Sequence, residues 1–309
     1  MSKLSAPHFS NEDAAREYLE NLRWPHGPVC PHCGTVGKAY ATKRPGKYRC
    51  AEKECRKDFT VKVCTVFEDS KIPLHKWLLA AYLLCSSKKG MSSHQLHRTL
   101  EITYKSAWFM THRIREAMKA GTFSPIGGHG QIVEADETEI TPSRKTWKAT
   151  RAKRGDNMRF LALVERGGSV RSKVIDERGM GQVRAAVRQN IAPGSILHTD
   201  SAQAYKGLMP VGQHEAVNHS KQFARESNNG KVYTNSAEGY FSLFKRGLVC
   251  TYQHVGEQHL ARYLAEFDFR MNHRVKLGFD DMARTNKALL GIEGKRLTYR
   301  RNNRAQAYA

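Results

Sequence analysis

Apolar residues recur at helical spacing over the first 120 residues and again towards the C-terminus, while the region between them alternates as strands do. In SNEDAAREYLENLRW (10–24), Ala14, Tyr18, Leu19 and Leu22 fall on one helix face, and Ser10 is placed to cap it. From residue 73, PLHKWLLAAYLLCSS reads as a helix with Pro73 in its first turn, SSHQLHRTL (92–100) as a short second helix, and TYKSAWFMTHRIREAMKAG (103–121) as a longer third. In the third, Ala107, Met110, Ile114 and Met118 repeat at helical spacing and leave Lys105, His112 and Arg115 outward. Three helices with a short link between the last two suggest a helix-turn-helix unit, whose third helix would enter a major groove; plain helical packing is the alternative.

Four glycines and a proline in GTFSPIGGHG (121–130) mark a boundary. Beyond it, QIVEADETEI reads as a strand, MRFLALVERGGSVRSKVID (158–176) as a hairpin turning at Gly167 and Gly168, GQVRAAVRQNI (181–191) as a helix and SILHTD (195–200) as a strand. Asp200 and Gln203 would cap a helix in SAQAYKGL, and TNSAEGYFSLFKRG (234–247) and GEQHLARYLAEFDFRMNHR (256–274) follow as helices. In the former, Asn235 and Glu238 have capping-box spacing, Ala237, Phe241, Phe244 and Leu248 form an apolar stripe, and Glu238, Ser242 and Lys245 a polar one. Residues 283–309, rich in Lys, Arg and Asn, suggest a helix followed by a basic tail.

Charge narrows the possible partners. Lys and Arg number 51 against 29 Asp and Glu, a net charge of +22 that repels itself unless a polyanion is near. Nucleic acid is the leading partner, a merely soluble basic surface the alternative. The loop SRKTWKATRAKRG contributes Arg144, Lys145, Lys148, Arg151, Lys153 and Arg154 without an acid, as a solvated loop or a strap over phosphates. No stretch reaches the ~20 apolar residues of a membrane span, and the N-terminus lacks a signal pattern, so a cytoplasmic protein, nucleoid-associated when bound to DNA, is expected.

Cys30, Cys33, Cys50 and Cys55 have the spacing C-x2-C-x16-C-x4-C of a zinc ribbon, wider than usual in the second pair. Zinc binding would supply much of the folding energy of so small a unit. Cys64, Cys85 and Cys250 are isolated and read as core residues.

Glu134, Asp136, Glu137 and Glu139 crowd one expected strand, where like charges destabilise unless something positive compensates. Alternation puts Glu134 and Asp136 on one face and Glu137 and Glu139 on the other. A charged edge strand is one explanation. The other is a set of carboxylates from separate elements, Asp136, Asp200 and Glu238, sharing two Mg²⁺ ions about 3.5–4 Å apart to act on a phosphodiester.

VEADETEI, HTDSAQAY, VNHS, TNSAEGYFSLFKRG and HLARYLAEFDFRMNHR, with CPHCG, YRC and FTVKVCTVFEDSKIPLHKW before them, resemble in order the blocks of a bacterial insertion-sequence transposase of the ISXO type. The resemblance implies an α/β ribonuclease-H-like catalytic domain of the DDE class with a mixed sheet (130–275) behind the zinc ribbon (28–65); with the patterns above, a multidomain chain is expected that also has an N-terminal helix (1–27), a helix-turn-helix-like DNA-binding domain (70–120) and a basic tail (276–309). The resemblance makes Asp136 and Asp200 the first two metal ligands. Glu238, with Lys245 at E-x6-K spacing, is preferred as the third, and Asn235 is the alternative. The metals implied are Mg²⁺ or Mn²⁺, two per site, besides structural Zn²⁺. Lys245, Arg246, Lys105, His112, Arg115 and the basic loop would contact DNA, while His198 and His219 would position phosphate or water. The expected activity is cleavage at terminal inverted repeats and joining to target DNA by a homodimer or larger assembly. A nuclease or resolvase on the same core, or a zinc-ribbon regulator, are the rivals.

Overall fold

The computed structural model describes residues 3–119, 124–140, 158–175, 180–200, 205, 212–218, 223–227 and 230–298. The chain divides into a first unit, Met1–Ser87, Met91–Lys119 and Asp281–Ala309, and a second, Lys88–Gly90 and Ala120–Asp280. Among the described residues no helix is long and apolar enough to cross a membrane.

In the first unit, α1 (Glu12–Arg23) is capped by Asn11, whose side chain accepts from the Ala14 amide at 2.9 Å, one residue later than Ser10. Trp24, just past its end, meets Tyr48 and Phe59 edge-on, with ring centroids 5.8 Å apart. These two rings belong to a three-stranded antiparallel sheet of β1 (Ala39–Ala41), β2 (Tyr48–Cys50) and β3 (Asp58–Phe59), too small to build a core from its own side chains. In α2 (Leu74–Ser86), Trp77, Leu78, Ala80, Ala81, Leu84 and Cys85 are all buried, so the helix is enclosed rather than amphipathic. The Ser92 and Thr103 hydroxyls cap α3 (Ser93–Leu100) and α4 (Tyr104–Met118), accepting from the Gln95 and Ser106 amides at 3.1 and 3.2 Å. Glu101 turns the chain between them with a left-handed φ of 51°.

The second unit is built on a five-stranded sheet in the order β6-β5-β4-β7-β8. Its central strand, β4 (Ile132–Ile140), runs antiparallel to β5 (Met158–Glu165), which pairs antiparallel with β6 (Val170–Ile175). On its other side β4 is parallel to β7 (Ser195–Asp200), itself parallel to β8 (Gly212–Val217). The hairpin turns at Gly167, whose φ of 75° suits glycine. Since β4 is central, its acids do not serve to blunt a sheet edge. β8 went unread in the sequence because GQHEAV lacks the β-branched and aromatic run that marks a strand, as did the short hairpin of β9 (Arg225–Ser227) and β10 (Gly230–Val232).

One face of the sheet is covered by α5 (Met180–Asn190), whose Val183, Ala186 and Val187 pack with Val133, Ala135, Leu161, Leu163 and Leu197. On the other lie α6 (Asn235–Gly247) and α7 (Glu257–Asn272), with Ala237, Tyr240, Phe241, Phe244, Leu260, Leu264 and Phe267 against Phe160, Ala162 and Val164. Side chains of α7 also occupy the outer edge of β6: the Val170 amide donates to Asn272 Oδ1 at 2.6 Å and the Ser172 amide to Asp268 Oδ2 at 2.8 Å.

The segment expected as a basic tail contains α8 (Asp281–Leu290), which returns to the first unit. Arg284 Nη1 donates to the Cys85 carbonyl at 2.8 Å, Tyr18 Oη donates to Asn286 Oδ1 at 2.6 Å, and Ala288 and Leu289 are buried. Residues 299–309 lie outside the described residues.

Candidate functional site

The four N-terminal cysteines meet. Cys30 and Cys55 Sγ are 3.7 Å apart, Cys33 and Cys50 Sγ 3.6 Å, and all four sulfurs lie within 4.8 Å of one another. A tetrahedral zinc with Zn–S bonds of about 2.3 Å would hold its sulfurs about 3.8 Å apart, so the cluster fits that ion. The wider second pair is absorbed by a turn in which the Cys55 amide donates to the Glu52 carbonyl at 3.1 Å. Thr35, through its hydroxyl and its backbone, holds the Cys33 thiol down at about 6, while Cys50, despite a hydrogen bond with the Glu52 backbone, is pushed up to about 12 by desolvation and the neighbouring sulfurs. Of the other cysteines, Cys85 is buried as expected, but Cys250 is exposed on the turn after α6 and is no core residue.

The carboxylates are assembled by strand register. The parallel pairing of β4 with β7 runs from Ile132↔Ile196 to Ala135↔Thr199, so Asp136 and Asp200 are the next residues on adjacent strands and share a face. Opposite Asp136 on β5 stands Ala162, which packs in the apolar cluster with α6. The helix bearing Glu238 therefore lies on the face that carries both aspartates. Burial raises the Asp136 carboxyl to about 7; the Glu137 amide, donating to Asp136 Oδ1 at 2.8 Å, opposes this, and the charges of Asp200, Glu238 and Glu137 add to the rise. Among the described residues the cysteine quartet is the only group of three or more metal-ligating side chains whose ligand atoms all lie within 4.8 Å of one another, so Asp136, Asp200 and Glu238 are not drawn together that tightly.

The start of α6 differs from the capping box expected. Thr234 is the N-cap and its side chain makes no capping bond; Asn235 is the first helical residue, and the Glu238 amide donates to the Thr234 carbonyl at 3.1 Å. The amides of Ser236 and Ala237 donate instead to Glu134 Oε2, at 2.7 and 3.2 Å, and the Ser236 hydroxyl to Oε1 at 3.1 Å. Asn235, Glu238, Ser242 and Lys245 are exposed, as is Arg246.

Glu134 is fully buried and paired with Arg166, whose Nε donates to Oε1 at 2.7 Å. Arg166 also donates to the Lys231 and Tyr233 carbonyls, each at 3.1 Å, lies 3.6 Å from the centroid of the Tyr233 ring, and places Nη2 3.1 Å from His198 Nδ1. Sequence reasoning put Glu134 on the correct face but gave it no role, and missed Arg166, which sits at the hairpin turn. The one signal was a carboxylate alternating into an apolar face.

Three expected contacts are corrected. His112 and Arg115 are buried, His112 against the Trp108 ring at 4.2 Å and Arg115 donating to Thr111 Oγ1 at 3.1 Å, so neither offers a surface to DNA. His198 is also buried, and burial, with Arg166 beside it, lowers it to about 4, so it is a neutral part of the Arg166 cluster rather than a phosphate contact. Lys105 is exposed. Arg144, Lys145, Lys148, Arg151, Lys153, Arg154, His219 and most of the SAQAYKGL segment lie outside the described residues.

A family model described as an ISXO2-like transposase domain matches residues 127–272, and one described as a transposase zinc-ribbon domain matches residues 10–58. The chain is 27% identical over 283 residues, 85% of its own length and 91% of the relative's, to an uncharacterized protein in transposable element ISH50 of Halobacterium salinarum. It is 30% identical over 88 residues, 28% of this chain and 68% of the relative, to an uncharacterized transposase-like protein of Haemophilus influenzae. A solved structure, the simian T-cell lymphotropic virus intasome in complex with PP2A regulatory subunit B56 gamma, contains a chain that overlaps 56% of this one and 63% of its own length, with 12% identity and a TM-score of 0.27. That overlap is too weak to carry an argument.

Proposed function

The chain belongs to the ISXO2-like transposase family, and we propose that it is the DNA transposase of an insertion sequence, cutting a phosphodiester at its element's terminal inverted repeats and joining the freed 3′ end to target DNA. The observation that carries this reading is the alignment of Asp136 and Asp200 on adjacent parallel strands beneath the helix that bears Glu238. Chain order of the sheet supports a ribonuclease-H-like core: the first strand is central, the second and third form a hairpin on one side, and the fourth and fifth run parallel on the other.

The donor set fits Mg²⁺ or Mn²⁺, because all three side chains offer hard carboxylate oxygens and their mutual charge opposes ionisation of Asp136. Asp136, Asp200 and Glu238 would hold such ions, which supply Lewis-acid stabilisation of the attacking and leaving oxygens of an in-line displacement. Glu238 is preferred over Asn235 because it offers a carboxylate, a better ligand for a hard divalent cation than a neutral amide oxygen, and it stands near enough to Asp136 for its charge to be felt there. Lys245, two turns along the exposed stripe from Glu238, would hold a DNA phosphate beside the scissile bond, with Arg246 next to it. The zinc ribbon and the α3–α4 unit would recognise the element's ends, with Lys105 at the exposed start of α4 among the contacts. The basic segment around Arg144–Arg154 would strap the backbone. Two ends must be handled together, so a homodimer or larger assembly on DNA is proposed, working in the cytoplasm at the nucleoid.

The test is to incubate the protein with Mn²⁺ or Mg²⁺, a labelled element end and a target plasmid, beside Asp200→Ala. Joined products that vanish in the variant while end binding survives are expected. Cleavage without joining would mark a nuclease or resolvase, and binding without either reaction would sink the enzyme claim in favour of a regulator.

A further inference from the structure

Most charged side chains of a basic protein lie in water, yet Glu134 has no exposed surface and sits in the same strand and on the same face as Asp136, two residues away. Its two oxygens accept from four donors: the Ser236 amide at 2.7 Å, the Ala237 amide at 3.2 Å, the Ser236 hydroxyl at 3.1 Å and Arg166 Nε at 2.7 Å. A buried ion pair seldom stabilises more than apolar side chains of the same volume would, so stability alone is a weak reason for a carboxylate here. What it adds is direction. An apolar side chain would add to the packing of α6 on the sheet but would give the amides of its first turn no acceptor. Three donors from the helix's first turn converge on a carboxylate that Arg166 holds from the hairpin, and together they fix the height and rotation of that turn. Glu238 follows Ala237 immediately, in the turn so fixed. Arg166 is in turn held by the Lys231 and Tyr233 carbonyls, so the clamp also ties down the chain that leads into α6.

We propose that Glu134 is a positioning residue: with Arg166 it clamps the first turn of α6 to β4 and thereby sets where Glu238 stands relative to Asp136 and Asp200. It touches neither substrate nor metal. The proposal rests on the reading of the three carboxylates as a divalent-metal site, and its test separates the two.

In the full-length protein, Glu134→Gln, Arg166→Lys and Glu238→Gln are compared with wild type by circular dichroism, by hydrogen exchange of peptides covering Ser236 and Ala237, and by calorimetric titration with Mn²⁺ in the absence of DNA. Glu134→Gln and Arg166→Lys are expected to keep the wild-type spectrum, to exchange faster at the two amides and to bind Mn²⁺ about tenfold more weakly, as loss of an outer-shell partner does elsewhere. Glu238→Gln should lose Mn²⁺ affinity with wild-type exchange, which separates holding the metal from aiming the holder. If Glu134→Gln does not fold, Arg166→Lys and Ser236→Ala carry the same measurements. Unchanged exchange, or faster exchange with wild-type Mn²⁺ affinity, would overturn the clamp's role. A wild type that neither binds Mn²⁺ nor joins DNA overturns the reading of the site itself, and the role of Glu134 with it; that failure is seen without any variant.

Discussion

Asp268 and Asp136 are both pushed up by burial, to about 6 and about 7, but they are held differently. Asp136 faces other acids, whereas Asp268 accepts from Tyr240 Oη at 2.5 Å, Ser172 Oγ at 2.7 Å and the Ser172 amide at 2.8 Å, all of which pull against the burial. Its folded value exceeds the ordinary 3.8, so between the two the folded chain holds a proton that the unfolded chain has lost. The stabilisation is complete below the unfolded value and fades as pH rises through about 6. At about 1.4 kcal/mol per unit, the full span is on the order of 2–3 kcal/mol. Asp268→Asn should therefore flatten the fall in Tm between about pH 4 and pH 6, a window set by the two values. A variant whose Tm falls with pH as steeply as the wild type's would show that this carboxyl does not titrate as described.

Among the elements, those with one repeating period were legible and those shaped by several neighbours were not. The bounds of α2, α3 and α4 follow from apolar spacing, Pro73 and the Ser92 and Thr103 caps. The outer face assigned to α4 does not exist at His112 and Arg115, because α4 packs against α2, α3 and α8 at once. A helical wheel assumes a single buried side, and α8 enters this unit from the far end of the chain. The cysteine ribbon was legible from spacing alone, because the metal imposes the geometry that the small sheet cannot. Chelating zinc from the full chain should accordingly expose the amides of residues 30–59 to exchange and abolish end binding, while the second unit keeps its protection. Ribbon amides that stay protected after metal loss would mean that the aromatic contacts of Trp24, Tyr48 and Phe59 suffice.

At the scale of the whole molecule, an excess of +22 makes each acid informative, and this is why Asp136, Asp200 and Glu238 stood out before any register was known. What one sequence could not give was the partner of Glu134: Arg166 is 32 residues away and Ser236 is 102, and only the folded sheet and helix bring them together. The same holds for the choice between Glu238 and Asn235, which stand nearly one helical turn apart on the same side of α6, so that the choice depends on how the helix is clamped. The three-carboxylate site is tested most directly by the rate at which a labelled element end is joined to target DNA in a single turnover, at saturating Mn²⁺ and DNA. Asp136→Asn, Asp200→Asn and Glu238→Gln should each slow joining by more than about a hundredfold, the upper end of what loss of an outer-shell partner costs a metal site, while Asn235→Ala joins at the wild-type rate. Wild-type joining by Glu238→Gln, or an Asn235→Ala protein as slow as Asp200→Asn, would contradict it.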